Sequence, residues 1–279
     1  MFEIENLLNL FSDEDIKEML LYSYYLSQEK GKDLSDSVFG HLLFLKTINP
    51  RINIILDTTK EKSCFNPNDN VIYLTRLSIE TFFHELTHLF SYNYSYFQVP
   101  NEYYSFKKEF LSSPKNTSLM IELLNLCNRK KTEFFGEDDI NPNVYNITHK
   151  NEINNISQKP QSTQFDTIIR IEGIIDSIFD GQSFTHGLTS IKDNNSIAIK
   201  SQKASGHSCE YFSNSGYQFE EILADYQAIK LTDPNNDLFV LLKNIIGDGF
   251  ISFLDQRCSE ICGKFLKYEN LNINNIIKK

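Results

Sequence analysis

The feature that most constrains this chain is the segment T-F-F-H-E-L-T-H-L-F at residues 81–90. His84 and His88 stand four residues apart, so a helix places both imidazole rings on one face. Their neighbours are phenylalanine and leucine, and the whole chain has only six histidines. Two imidazoles and a carboxylate on a buried helix are costly unless they have a partner. The pattern predicts a metal site, and two hydrogen-bonded core histidines are the alternative.

The spacing of the two histidines suits a tetrahedral zinc ion, whose ligand nitrogens lie roughly 2.0–2.1 Å from the metal. Glu85 lies beside His84, where it can contact a water molecule as a general base without binding the metal. This H-E-x-x-H arrangement is the signature of the zincin metallopeptidases. We therefore expect one zinc ion per chain, with His84 and His88 as ligands and Glu85 as the catalytic base.

A catalytic zinc site needs a third protein ligand, and the best source is F-E-E-I-L-A-D-Y-Q-A-I-K at residues 219–230. Glu221 and Asp225 are four residues apart, so both can face the site from one helix. Glu221 is predicted to bind zinc, while Asp225 accepts a hydrogen bond from the far nitrogen of a ligand histidine. Glu220 is the competing third ligand, and a solvated acidic helix face is the alternative for the whole segment.

H-E-L-T-H, followed far downstream by E-E-I-L-A-D-Y-Q-A-I-K-L-T-D, resembles the catalytic domain of anthrax lethal factor and related zincins. The resemblance covers the first motif well and about residues 220–234 moderately. It implies zinc ligation by His84, His88 and Glu221, and general-base catalysis by Glu85. It also implies a protease that acts on a protein substrate, as a host-directed bacterial effector or toxin does.

The family places an oxyanion-stabilising tyrosine shortly before the third ligand, and this chain does not match that position in register. The nearest substitute is G-H-S-C-E-Y-F at residues 206–212, where Tyr211 or His207 can donate to an oxyanion. Tyr217 is a further option, and all three can equally be ordinary loop residues. Tyr211 and His207 are the predicted catalytic donors.

The pattern of elements predicts an α+β, zincin-like fold in a single domain, 1–279. It is mostly helical, with a small mixed or antiparallel sheet beside the active-site helix. Within it we expect an N-terminal helical part at 1–50 and the sheet with the active-site helix at 51–130. A polar insertion at 131–163 follows, and then the third-ligand helix and C-terminal helices at 164–279. The predicted strands are R-I-N-I-I-L-D and N-V-I-Y-L-T, and the second is the expected edge to which an extended peptide substrate adds.

Composition limits the partners. The formal net charge of −10 argues against nucleic acid, and no apolar run is long enough for a membrane span. The N-terminus lacks the pattern of a secretory signal, so we expect a cytoplasmic protein or one exported by a specialised secretion machine. The expected partner is a protein or peptide substrate, and the family resemblance implies a host protein. The expected state is a monomer.

Three other functions stay open at this point: a non-peptidase zinc hydrolase, an intracellular regulatory metallopeptidase, and an inactive zinc-binding interaction module. Because Glu85 is present, an active enzyme is favoured over the inactive module.

Overall fold

The computed structural model describes residues 4–48, 51–60, 62–93, 99–135, 164–180, 207 and 211–269. These residues form a mostly helical α+β structure with one small mixed sheet, which confirms the α+β part of the predicted fold class. The helices are α1 (Ile4–Leu8), α2 (Glu14–Lys30), α3 (Lys32–Ile48), α4 (Ile79–Asn93), α5 (Asn101–Ser112), α6 (Pro114–Phe135), α7 (Gln164–Ile178), α8 (Ser215–Thr232), α9 (Asp237–Ile246) and α10 (Asp248–Glu269). The strands are β1 (Asn53–Leu56), β2 (Cys64–Asn66) and β3 (Val71–Leu74), and a 3₁₀ turn spans Tyr211–Ser213.

The sheet has the strand order β1-β3-β2, with β3 parallel to β1 and antiparallel to β2. Two of its strands were predicted, but β2 was not, because a strand of three residues is too short to show alternation. A tight connection from β2 to β3 follows, in which Asn70 adopts a left-handed conformation with φ of 56°. The sheet is therefore mixed, which is one of the two arrangements predicted from the sequence.

The prediction that β3 is an edge strand is wrong. β3 pairs through Ile72 with Ile54 on one side and with Phe65 on the other, so its backbone has no open side for a peptide. Within the described residues the edges belong to β1 and β2. Strand order depends on pairing between distant segments, so the sequence of β3 alone did not indicate its place.

Helices α4 and α8 form the centre of the molecule. α8 is buried on nearly all sides, from Gln218 to Ile229, and packs extensively against α4 and α7. Phe82, Phe83 and Leu86 of α4 join the same core. Both metal-site motifs therefore lie on helices that the core holds on several faces, and rigid helices of this kind fix side-chain positions well.

Other boundaries differ from the sequence-based ones. The predicted insertion at 131–163 begins later, because α6 continues to Phe135, and its remaining residues lie outside the described part. The segment S-I-A-I-K, whose sequence predicts a further short strand, also lies outside it. The C-terminal helical segment after residue 237 forms two helices, because Gly247 adopts φ of 93° and ends α9. None of the described helices is long and apolar enough to cross a membrane.

Candidate metal centre

His84, Glu85 and His88 lie in the middle of α4. The helix begins after Ser78, whose hydroxyl accepts a hydrogen bond from the Thr81 amide, as a capping serine does. His84 and Glu85 are buried, and the His88 side chain retains 21% of its exposure. The two Nε2 atoms face each other at 3.0 Å. The helix therefore brings the two predicted ligand nitrogens to one point, with His88 on the solvent side.

Glu221 of α8 reaches this point from the facing helix. Its Oε2 lies 3.3 Å from Nε2 of His84, and its Oε1 lies 3.6 Å from Nε2 of His88. The two nitrogens are 3.0 Å apart, so each lies within 3.6 Å of the other nitrogen and of one oxygen of Glu221. Donors bound about 2.05 Å from one tetrahedral ion are roughly 3.3 Å apart. The donor set and its spacing fit a zinc ion with two histidines and one glutamate.

Asp225 fixes the orientation of His84. Its Oδ1 lies 2.6 Å from Nδ1 of His84 and accepts a hydrogen bond from Arg170 Nη1 at 3.0 Å. Arg170 also donates to the Thr81 hydroxyl, which ties α7 to α4. A carboxylate on Nδ1 directs the protonated nitrogen away from the site and leaves Nε2 free to bind a metal. Asp225 is placed where the sequence predicted.

Gly173 of α7 permits this arrangement. A Cβ atom at residue 173 would lie 2.1 Å from Oδ2 of Asp225, far inside any allowed contact. Only glycine leaves room for the carboxylate between α7 and His84.

The electrostatics of the site favour a cation. Burial lowers the pKa of His84, but the carboxylates of Asp225 and Glu221 together outweigh burial and raise that pKa to about 10 in the metal-free protein. Burial opposes ionisation of Glu221, yet the neighbouring histidines hold its pKa well below its usual range. Three carboxylates, those of Glu85, Glu221 and Asp225, surround the histidines, and Arg170 supplies one guanidinium. Metal binding requires both histidines to be neutral, and a divalent cation would then offset the negative charge that remains.

Glu85 faces the edge strand of the sheet. Its Oε2 accepts a hydrogen bond of 2.9 Å from the backbone amide of Phe65 in β2. This contact holds one carboxylate oxygen and leaves the other for a proton-transfer partner. The sequence did not indicate it, because the donor is a backbone group twenty residues away.

Tyr211, His207 and Tyr217 form a stack of rings beside Glu221. The Tyr211 hydroxyl donates to Oε1 of Glu221 at 2.9 Å, and Nε2 of His207 lies 3.1 Å from the same oxygen. His207 and Tyr217 each lie nearly parallel to Tyr211, with ring centroids 4.1 and 4.6 Å from it. Tyr217 is the outermost of the three, at 44% exposure. Burial, followed by the Glu221 carboxylate, raises the pKa of Tyr211, so its phenol stays protonated as a donor.

Glu220, the competing third ligand, is also buried, and burial raises the pKa of its carboxyl. Two groups of possible metal ligands occur among the described residues: His84, Glu85 and His88, and His84, Glu221 and Asp225. Glu220 belongs to neither, whereas Glu221 contacts both histidines.

Arg170 and Gly173 were not predicted from the sequence. The one available signal was a single arginine within the apolar run I-I-R-I-E-G-I-I, which marks a charged group on a buried helix face.

Comparison of the chain with protein-family models, with curated proteins and with solved structures gave no match. The resemblance to the lethal factor catalytic domain therefore rests on the two motifs alone, and the chemistry of the site is argued from its own geometry.

Proposed function

We propose that this chain is a zinc-dependent endopeptidase. The observation that carries the proposal is the convergence of His84, His88 and Glu221. Their two Nε2 atoms lie 3.0 Å apart, and the two oxygens of Glu221 lie 3.3 Å from Nε2 of His84 and 3.6 Å from Nε2 of His88. These three side chains would hold a zinc ion as the protein ligands of a catalytic site.

Each side chain then has a distinct role. Zinc, when bound, supplies Lewis acidity that polarises a carbonyl and makes water more acidic. Glu85 accepts the proton of the attacking water and passes it to the leaving amine, as a general base and then a general acid. The Tyr211 hydroxyl, which donates to Oε1 of Glu221 before substrate binds, would change its acceptor to the developing oxyanion, with His207 as the neighbouring donor. Asp225 keeps His84 in the tautomer that presents Nε2.

The corrected sheet order supports a protein or peptide substrate. β2 is the edge strand nearest to Glu85, because the Phe65 amide donates to that carboxylate. An extended peptide added to this edge would run close to Glu85. Sheet edges bind peptides through main-chain hydrogen bonds, which suits a protein or peptide substrate. A host protein as that substrate stays a prediction from the family resemblance.

The test compares wild type with Glu85→Gln. Glutamine keeps the shape and can still accept the Phe65 hydrogen bond, and residue 85 is not a ligand. Glu85→Gln should therefore bind about one zinc per chain, as wild type does. Its cleavage rate should fall by at least about 10²-fold, the usual contribution of such a proton shuttle.

The substrate is a whole-proteome extract, and new N-termini are mapped by mass spectrometry. Chelator treatment and zinc addition provide the control, because cleavage should disappear and return with the metal. Zinc binding without any cleavage that depends on Glu85 would favour the inactive binding module instead.

A further inference from the structure

The buried carboxamide of Gln218 makes four hydrogen bonds. Its oxygen accepts from the Tyr103 hydroxyl at 2.8 Å and from Lys107 Nζ at 2.7 Å. Its nitrogen donates to Oδ1 of Asp180 at 2.5 Å and to the backbone carbonyl of Phe212. Every hydrogen-bonding position of the amide is therefore filled.

These partners permit only one orientation of the amide. Two donors meet the oxygen and two acceptors meet the nitrogen, so a rotation by 180° would oppose like groups on both sides. Lys107 also pairs directly with Asp180, which joins α5 to the end of α7 independently of Gln218. With an exposure of 2%, Gln218 has almost no access to water that could replace a lost partner.

The bond to Phe212 is the one that concerns the active site. Phe212 is the middle residue of the 3₁₀ turn, directly after Tyr211, and its ring is fully buried. Gln218 and Glu221 lie three residues apart on α8, so one helix carries both the hold on the turn and the acceptor of the Tyr211 phenol. Gln218 donates to the Phe212 carbonyl, and the Tyr211 hydroxyl donates to Glu221. Because both hydrogen bonds end on α8, they fix the position of Tyr211 relative to Glu221.

We propose that Gln218 is a positioning residue that, through the Phe212 carbonyl, holds the Tyr211 phenol at the metal ligand Glu221. The expected effect of Gln218 on kcat rests on the proposed peptidase function. The contact by which Gln218 holds the 3₁₀ turn does not depend on that function.

The kinetic test is a double-mutant cycle with Gln218→Glu and Tyr211→Phe. Glutamate has the same shape but replaces two N–H donors by an oxygen, which repels Asp180 and the Phe212 carbonyl. We expect kcat to fall about 10- to 100-fold, within the range for losing one oxyanion donor, with KM and zinc content unchanged. In the Tyr211→Phe background the same change should alter kcat by less than about twofold, because the group it positions is already absent. Independent, multiplying losses, or an unchanged kcat for Gln218→Glu, would overturn the proposal.

Gln227→Glu is the matched control. Gln227 is a second buried glutamine of the same helix, and its amide contacts His41 instead of the turn. Folded Gln227→Glu should have nearly the same kcat as wild type. If Gln218→Glu gives too little folded protein, Gln218→Asn withdraws the same amide by one methylene and is expected to show the same kinetic pattern.

Hydrogen exchange separates this inference from the proposed function. The backbone amide of Asn214 donates to the Tyr211 carbonyl, and the backbone amide of Gly216 donates to Oδ1 of Asn214. They should exchange at least about tenfold faster in Gln218→Glu and at the wild-type rate in Gln227→Glu. Unchanged exchange contradicts the inference even if the protein is an active peptidase. Faster exchange in a protein that cleaves nothing would support the positioning contact and contradict only the proposed peptidase function.

Discussion

Gly173 and Asp225 are in such close contact that any side chain at position 173 would displace the Asp225 carboxylate. A Cβ atom at residue 173 would lie 2.1 Å from Oδ2 of Asp225. The conflicting atom is the end of a side chain and not backbone, so Gly173→Ala should displace the carboxylate from His84 and leave the fold intact. We expect about 10- to 100-fold weaker zinc binding, as for loss of other carboxylate partners of ligand histidines.

Zinc affinity is measured by competition with a chromophoric chelator. Gly40→Ala is the matched control, since Gly40 also lies in a helix and its Cβ would meet no atom within 4 Å. Asp225→Ala should weaken binding comparably, and adding Gly173→Ala to it should change little. Wild-type affinity in Gly173→Ala would show that the Asp225 contact does not support the metal.

The part of this site that the sequence predicted is the part set by helical periodicity. Two i,i+4 pairs, His84 with His88 and Glu221 with Asp225, face one point because each lies on one helix. Arg170 could not be assigned in this way, since its partner Asp225 is 55 residues away and on another helix. Likewise, the place of β3 in the sheet depends on pairing with both β1 and β2, which no local pattern contains.

The choice between Glu221 and Glu220 as third ligand has a direct test. Glu221→Ala removes a carboxylate whose two oxygens lie 3.3 Å from Nε2 of His84 and 3.6 Å from Nε2 of His88, so zinc content should fall sharply from one per chain. Glu220→Ala should keep close to one zinc, because that carboxyl belongs to neither group of candidate ligands among the described residues. Metal analysis of the folded variants decides, and the reverse pattern would assign the ligand to Glu220.

Tyr211 is expected to act in the transition state. Tyr211→Phe keeps the ring stack with His207 and Tyr217 and removes only the hydroxyl that points at Glu221. We expect kcat to fall about 10- to 1,000-fold with KM and zinc content nearly unchanged, because the hydroxyl would contact the substrate only in the transition state.

His207→Ala and Tyr217→Phe serve as comparisons in steady-state kinetics. Tyr217 is the outermost ring, so its hydroxyl should matter least. Full activity of Tyr211→Phe together with an inactive His207→Ala would give the donor role to His207.

The pH dependence of stability should differ between the metal-free and the zinc-loaded protein. In the metal-free protein the pKa of His84 is raised from its ordinary 6.5 to about 10, chiefly by Asp225 acting against burial, and that of His88 is raised too. A raised pKa gives stability that is complete below about pH 6.5 and is lost as pH rises toward 10. The pKa of Glu221 is shifted the opposite way, so its contribution to stability is lost as pH falls below about 4.5.

The melting temperature of chelator-treated protein should therefore decline from pH 6.5 to 9. Over the same range the rise in melting temperature caused by zinc should grow, because zinc binds neutral imidazole. Thermal unfolding of wild type and His84→Gln over this range provides the measurement, since groups common to both proteins cancel. An equal slope in the two metal-free proteins would show that His84 is not the group whose protonation stabilises the empty site.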